Sequence, residues 1–504
     1  MNQYIVHLLD IPNEILFIIL KKLENVDVLY SLLGINNKRL EIIAQEQIFT
    51  NILNFVSKSQ STDEICSISS TILDRFCISI LPRIHKNIKS LIVESVSMEE
   101  ILRAVNYPNL TKLKIFNFNK SIVSKYFIDD SLFEHIDKQQ ITDLVLHLSI
   151  FPSSINDYPP LSLYISPPLI FSSSTLTKLC ININDFYDCF ALLDGRFKQL
   201  NRFIVQIKYT YYRTSTPPNM NDNPNLKCFS LTCYPSGQAY DNLVLPLLRQ
   251  MSNLEELTLY IHIFGGPIFI SGTHLHNEIL VYMSQLHTFT FYITSENDFI
   301  DPPILISNLD IQRTFTNIKC GQIVCMIDYF AIDKTICRVF SLPLKFHCLK
   351  KIPNNIPNLV FNSVTHLELW DENPFKYEFF IRLARAFPFI KSLSIWNIVP
   401  ASWTFDKSHL NDKDWCSIIE YPHLISLDIV RANIYYVEHF LNETKTYLPR
   451  LTELKIRYED LEMVTTNFTR DETRRNSAKV KRLIVGHSTV YPKDVYYYFP
   501  LLSV

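Results

Sequence analysis

One pattern of apolar and polar positions recurs along most of the chain: apolar-x-x-apolar-x-apolar, usually just after Pro, Asn or Ser. It runs as Ile88-Leu91-Val93, Leu110-Leu113-Ile115, Ile141-Leu144-Leu146 and Leu176-Leu179-Ile181. It continues as Leu200-Phe203-Val205, Leu226-Phe229-Leu231, Leu254-Leu257-Leu259 and Leu286-Phe289-Phe291. After a gap come Val364-Leu367-Leu369, Ile390-Leu393-Ile395, Leu424-Leu427-Ile429, Leu451-Leu454-Ile456 and Val480-Leu483-Val485. Successive first positions lie 22 to 35 residues apart, except from Leu286 to Val364. Alternation within each match predicts a short strand with one face buried. Segments between the strands, such as Tyr377 to Phe387, Tyr435 to Thr446 and Glu459 to Asn467, carry helical spacing. Strand, turn, helix and turn at this period predict an α/β chain whose parallel sheet is backed by helices and built as a solenoid.

The first residues follow a different rhythm. Ile11, Ile15, Ile19 and Leu23 repeat at four-residue spacing, and Leu16 and Leu20 widen the stripe. Pro12 suits the first turn of a helix, where the amide it lacks would be unpaired anyway, and Glu14 then meets the positive end of the helix dipole. A second helix is predicted through Val28, Leu29, Leu32 and Leu33 to a stop at Gly34, and a third from about Asn37 to Val56. The domain boundaries that follow are a helical segment at 1–50, a helical linker at 51–85 and the repeating body at 86–504. Within that body, 296–362 is irregular and 486–504 caps the end. The Pro-containing inserts Ser153–Pro168 and Tyr209–Pro224 are expected as projecting loops.

Composition narrows the chemistry. Of 504 residues 47% are hydrophobic and 19% charged, a globular balance. A formal charge of −2 argues for neither nucleic acid nor an acidic ligand as a global partner. Only 8 glycines are present, too few for Gly-rich phosphate loops. The 11 cysteines, odd in number and without CxxC, read as reduced apolar residues rather than metal ligands. No basic n-region or long uninterrupted apolar run is evident, so a cytoplasmic or nuclear location is expected. No motif for a hydrolase, zinc enzyme or nucleotide-binding loop occurs, so the expectation is a protein that is not an enzyme and needs no cofactor or metal. The basic residues Arg470, Arg474, Arg475, Lys479, Lys481 and Arg482 are interrupted by Asp471 and Glu472 and read as a solvated loop.

Two resemblances follow from these residues. Leu9-x-x-Pro12-x-Glu14-Ile15-Leu16-x-x-Ile19-Leu20-x-x-Leu23, then Asp27-Val28, resembles the F-box motif. The match departs at its end, where Gly34-Ile35-Asn36-Asn37-Lys38-Arg39-Leu40 stands in place of the usual Val-Cys/Ser-Lys/Arg stretch. The resemblance implies that Leu9, Pro12, Glu14, Ile15, Leu16, Ile19, Leu20, Leu23 and Val28 dock onto the adaptor subunit of a cullin-RING (SCF-type) ubiquitin ligase. The repeating body resembles degenerate leucine-rich repeats; the asparagine usual after the strand is kept only as Asn184, so the following turns must satisfy their backbone groups individually. Together these imply a non-catalytic substrate receptor. A leucine-rich-repeat scaffold unconnected with ubiquitin is the alternative.

In such an arc the residue after each triplet points out of the concave sheet. That row reads Phe116, His147, Asn182, Gln206, Thr232, Tyr260, Tyr292, Trp370, Trp396, Val430 and Arg457. The neighbouring row holds Glu368, Ser394, Asp428 and Lys455. Exposed aromatic rings among charges have the composition of a protein-binding surface. The expected target-binding residues are therefore Tyr260, Tyr292, Glu368, Trp370, Trp396, Asp428 and Arg457.

Overall fold

The computed structural model describes residues 11–58, 65–117, 140–147, 173–208, 224–267, 269–298, 306–316, 321–330, 334–371, 375–397, 418–485 and 493–502. Leu9 and the expected loops, apart from Pro224, lie outside these residues. The chain is mixed α/β and divides into two units. One takes in the residues up to Ser59 with Glu64–Gly266 and Thr273–Phe289; the other is chiefly Pro267–Gly272 and Thr290–Val504.

The first unit opens with α1 (Asn13–Leu20), α2 (Asn25–Leu32), α3 (Lys38–Ala44) and α4 (Gln47–Thr50). Gly34 ends the second helix at a φ of +84°, where an L side chain would be strained. Asn37 caps α3 through its side-chain oxygen, which accepts from the Leu40 amide at 3.2 Å. The single long third helix expected to reach Val56 is not formed. It breaks after Ala44, and Ile52–Asn54 becomes strand β1. Sheet pairing competes for these residues: β1 lies parallel to a later strand, and the Phe55 amide donates to the Ile92 carbonyl at 2.8 Å.

After a two-stranded antiparallel ribbon, β2 (Val56–Lys58) and β3 (Ile65–Ser67), the parallel sheet runs through seven further strands. These are β4 (Ser90–Glu94), β5 (Lys112–Phe116), β6 (Asp143–His147), β7 (Lys178–Ile183), β8 (Arg202–Ile207), β9 (Cys228–Cys233) and β10 (Glu256–Phe264). Their order in the sheet is their order in the chain. The register follows the triplets: Leu91, Leu113, Leu144, Leu179, Phe203, Phe229 and Leu257 are successive partners.

The second unit begins with antiparallel β11 (Thr288–Asp298), β12 (Ile323–Phe330) and β13 (Lys334–Ser341), where irregularity was expected. The outer edge of β12 is blocked by a short helix, Asn308–Arg313. Asn308 Oδ1 accepts from the Ile327 amide at 2.8 Å and Gln312 donates to the Ile323 carbonyl at 2.7 Å. A six-stranded parallel sheet follows: β14 (Cys348–Ile352), β15 (His366–Asp371), β16 (Ser392–Asn397), β18 (Ser426–Arg431), β20 (Glu453–Lys455) and β21 (Arg482–Ile484). Two short strands, β17 (Ile419–Glu420) and β19 (Thr446–Tyr447), pair apart from it. Again the triplets set the register, through Leu367, Leu393, Leu427, Leu454 and Leu483. Every triplet residue except Leu286 is buried.

Two devices make the repeat. First, an apolar anchor sits three residues before the triplet: Tyr107, Phe197, Met251, Met283, Phe361, Phe387, Tyr421 and Leu448 are all buried. Each anchor's carbonyl accepts the amide of the triplet's first residue, closing a tight turn. Second, one carbonyl per repeat accepts two consecutive amides from the next strand. The carbonyl of Thr142 takes Thr177 and Lys178 at 2.8 and 3.0 Å; that of Lys391 takes Ile425 and Ser426 at 2.8 and 3.0 Å. The same step recurs from Lys89 through Lys227 and from His347 through Thr452. Both lone pairs of the oxygen are used, so the strand entries need no side-chain ladder.

The final residues form a helix, Lys493–Tyr498, that buries Val495, Tyr498 and Phe499. The basic residues near 470–482 are not a loop. They include a helical turn, Arg474–Ser477, and most are tied to carboxylates: Arg470 to Glu438 at 2.6 Å and Arg482 to Glu453 at 3.3 Å.

Candidate functional site

Two surfaces stand out, one in each unit. The first is α1. Leu16 and Leu20 are buried, as is Val28 on α2, so these three serve the helical core and do not face outward. Their removal from the expected docking set has a simple cause: a segment this short makes its own core from the residues that point at α2 to α4. The opposite side of α1 is apolar as well. Ile15, Ile18 and Ile19, with Leu23 just past the end of the helix, are 48%, 58%, 43% and 52% exposed. Pro12 and Glu14 lie at the exposed start of the helix, where the Pro12 carbonyl accepts from Leu16 at 3.0 Å. Ile35, Ile42 and Ile48 are also exposed, and none of them was singled out from the motif. Arg39 fastens the start of α1 by donating from Nε to Asn13 Oδ1 at 2.7 Å.

The second surface is the outward side of the six-stranded sheet. Trp370 and Trp396 are direct register partners on β15 and β16, as expected, and both are half-buried. The Trp370 Nε1–H donates to Glu368 Oε1 at 2.9 Å. Each indole carries a cation on its face: Lys351 Nζ lies 4.4 Å from the Trp370 ring, and the Arg431 guanidinium 4.3 Å from the Trp396 ring.

Register shifts put those cations there. In β14 the pairing slips between Leu349 and Ile352, and Lys351 sits at a φ of +56°, unusual for a residue with a side chain. Lys351 Nζ is held by Glu296 at 2.5 Å, and its carbonyl accepts from the wholly buried Arg338, which also pairs with Asp328. A second slip, between Ser394 and Trp396, brings Arg431 opposite Trp396 in place of Val430. Alternation along a regular strand cannot reveal either shift, which is why Lys351 and Arg431 escape the sequence reading.

Other expected residues fall elsewhere. Tyr260 and Tyr292 are buried, 8% and 3% exposed, so neither presents a ring for a partner. Tyr292 packs against Phe340 and Phe346, with centroids 5.8 and 6.3 Å away. Tyr260 meets Tyr234 edge to face, with ring centroids 6.3 Å apart. Asp428 accepts from the Val430 amide at 3.3 Å, and burial raises its pKa. Arg457 is exposed and pairs with Asp460 at 2.6 Å. Glu453 gathers three partners: Ser426 at 2.9 Å, Lys455 at 3.4 Å and Arg482 at 3.3 Å.

Among the described residues no three His, Cys, Asp or Glu side chains converge as metal ligands would, and no helix is long and apolar enough to cross a membrane. No protein-family model matches the chain, and no curated protein matches it.

Proposed function

We propose that this protein is a non-catalytic substrate-recognition subunit of a cullin-RING (SCF-type) ubiquitin ligase. In this reading α1 to α4 form an F-box that docks the adaptor, and the repeats form a leucine-rich-repeat-like solenoid that holds a target protein. Catalysis is then positional: the receptor raises the effective concentration of an acceptor lysine, while bond-making belongs to other subunits. The observation that carries the proposal is the two-sided apolar character of α1. Its inner side, Leu16 and Leu20, already satisfies the helical core; Ile15, Ile18, Ile19 and Leu23 remain uncovered, and a contiguous apolar face of this kind marks an interface.

A second reading has its own support. Strand β1 pairs with β4, and the Asn51 carbonyl takes the Lys89 and Ser90 amides at 2.9 Å each, the same step that joins the repeats. The N-terminal helices are thus also built as a cap on the sheet, which suits a repeat scaffold with no link to ubiquitin.

Co-purification separates the two. The receptor reading expects the full chain to capture adaptor and cullin, and Ile15→Asp with Ile19→Asp to abolish capture while the thermal transition is unchanged. Leu16→Asp is the wrong probe, since it would unfold the segment. If the wild-type chain never captures the adaptor, and removal of residues 11–50 only unfolds the sheet, the cap reading stands alone.

A further inference from the structure

Lys351, Trp370, Trp396 and Arg431 lie on four neighbouring strands of one sheet and form a line: cation, indole, indole, cation. At about 4.8 Å between strands, the line is about 14 Å long. We infer that this ladder binds an extended acidic peptide with two carboxylate side chains four residues apart and an aromatic or large apolar residue midway between them. The inference rests on the reading above that this sheet face holds a target, and names the chemistry of that target.

Four residues of extended chain span about 13 Å at about 3.3 Å per residue, close to the width of the four strands that carry the ladder. Residues i, i+2 and i+4 of such a chain share one face. The outer two would meet Lys351 and Arg431, and the middle side chain would lie between the indoles. Charge favours this sign of partner. The chain as a whole carries −2, yet a cationic residue stands at each end of the ladder, Lys351 already bridged to Glu296. Arg431 makes no ion pair among the described residues; its guanidinium lies on the Trp396 face, and its charge also acts on Asp428. Beyond it, Lys455 and Arg482 both pair with Glu453. Two acids share this face: Glu368, which accepts from the Trp370 Nε1–H, and Asp428, which accepts from the Val430 amide.

The geometry also explains the construction beneath it. Lys351 is a costly residue to place at positive φ, and the buried Glu296 and Arg338 hold it there by its ammonium and its carbonyl. A side chain fixed at both ends is preorganised, which lowers the ordering cost of capturing a carboxylate.

The test is fluorescence anisotropy on the full-length chain, without adaptor. The probe is a fluorescein-labelled peptide with Glu-Ser-Phe-Ser-Glu at its centre. Saturable binding is expected. It should weaken about tenfold or more when both Glu are replaced by Gln, and by a similar factor in Arg431→Glu. Trp396→Ala should weaken it too, with an unchanged melting transition confirming that the variant is folded. Added salt should reduce affinity, since the contacts are ionic and partly exposed.

Equal binding of the Gln peptide, an unaffected Arg431→Glu, or no saturable binding at all overturns the inference. So does preferential binding of an oligothymidylate, which would make the stacked, cationic face a single-stranded nucleic-acid site instead. Peptide binding by a chain that never captures the adaptor would sink the ligase reading and leave this inference standing. Adaptor capture without peptide binding would do the reverse.

Discussion

Asp371 follows Trp370 on β15 and is 2% exposed. Tyr436 donates to its Oδ2 at 2.5 Å, the Phe375 amide donates to the Tyr436 oxygen at 2.8 Å, and Oδ1 has no hydrogen-bond partner among the described residues. Burial outweighs the tyrosine hydrogen bond and pushes the carboxyl up to about 6. The folded protein therefore holds the acid form more tightly than the unfolded chain. Stability from this group is fully present below the ordinary carboxylate range and is lost as pH rises through 6. Asp371→Asn should flatten the dependence of unfolding free energy on pH between 4 and 7 by about 2–3 kcal/mol. Chemical denaturation at several pH values checks it, and an unaltered slope would rule out Asp371 as the cause. His439 acts in the opposite direction. Wholly buried and stacked 4.2 Å from Phe380, it is held neutral, with burial pulling its pKa down to about 3. Its contribution is lost as pH falls below the ordinary histidine range. Neither group was distinguishable in the sequence from the other acids and histidines, because a shift of this kind depends on what lies around the side chain.

Within α1 the two sides should respond oppositely to substitution. Leu16→Ala removes a wholly buried side chain and should cost about 2–5 kcal/mol; Ile15→Ala removes an exposed one and should stay within about 0.5 kcal/mol. Thermal or urea melts of the two variants check the pair, and equal losses would contradict the assignment of faces. The repeats make a comparable prediction. Phe387, buried and stacked 5.0 Å from Phe361, anchors the turn into Ile390; Phe387→Ala should cost about 3–5 kcal/mol, as large a loss as truncating a triplet residue. The triplets and the helix Tyr377–Ala386 were readable from apolar spacing, since one buried face leaves a direct trace in residue order. The anchors were not, although an apolar residue stands three before many of the triplets. They lie outside the strand, where period-two alternation carries no information.

For the molecule as a whole, β1 makes the N-terminal segment part of the parallel sheet and not an appendage. A chain lacking residues 11–58 should expose the free edge of β4, melt at lower temperature and aggregate on heating, as light scattering would report. A truncated chain that stays monomeric with an unchanged transition would instead show that the repeats close their own edge. Residue order alone determined the α/β class, the parallel strands built on the triplets and, apart from two shifts, their register. Each rests on local periodicity, and a strand shifted by one residue would turn its triplet out of the core. It also located the apolar α1 and the adjacent Trp370 and Trp396. Tertiary structure alone decided which side of α1 is left uncovered, that Tyr260 and Tyr292 are enclosed, and that the chain at Ile52 leaves helix for sheet. It also decided where two register shifts set Lys351 and Arg431 against the indoles. Those outcomes follow from which surfaces meet. Packing partners far apart in sequence settle that, and apolar spacing within one segment leaves it open.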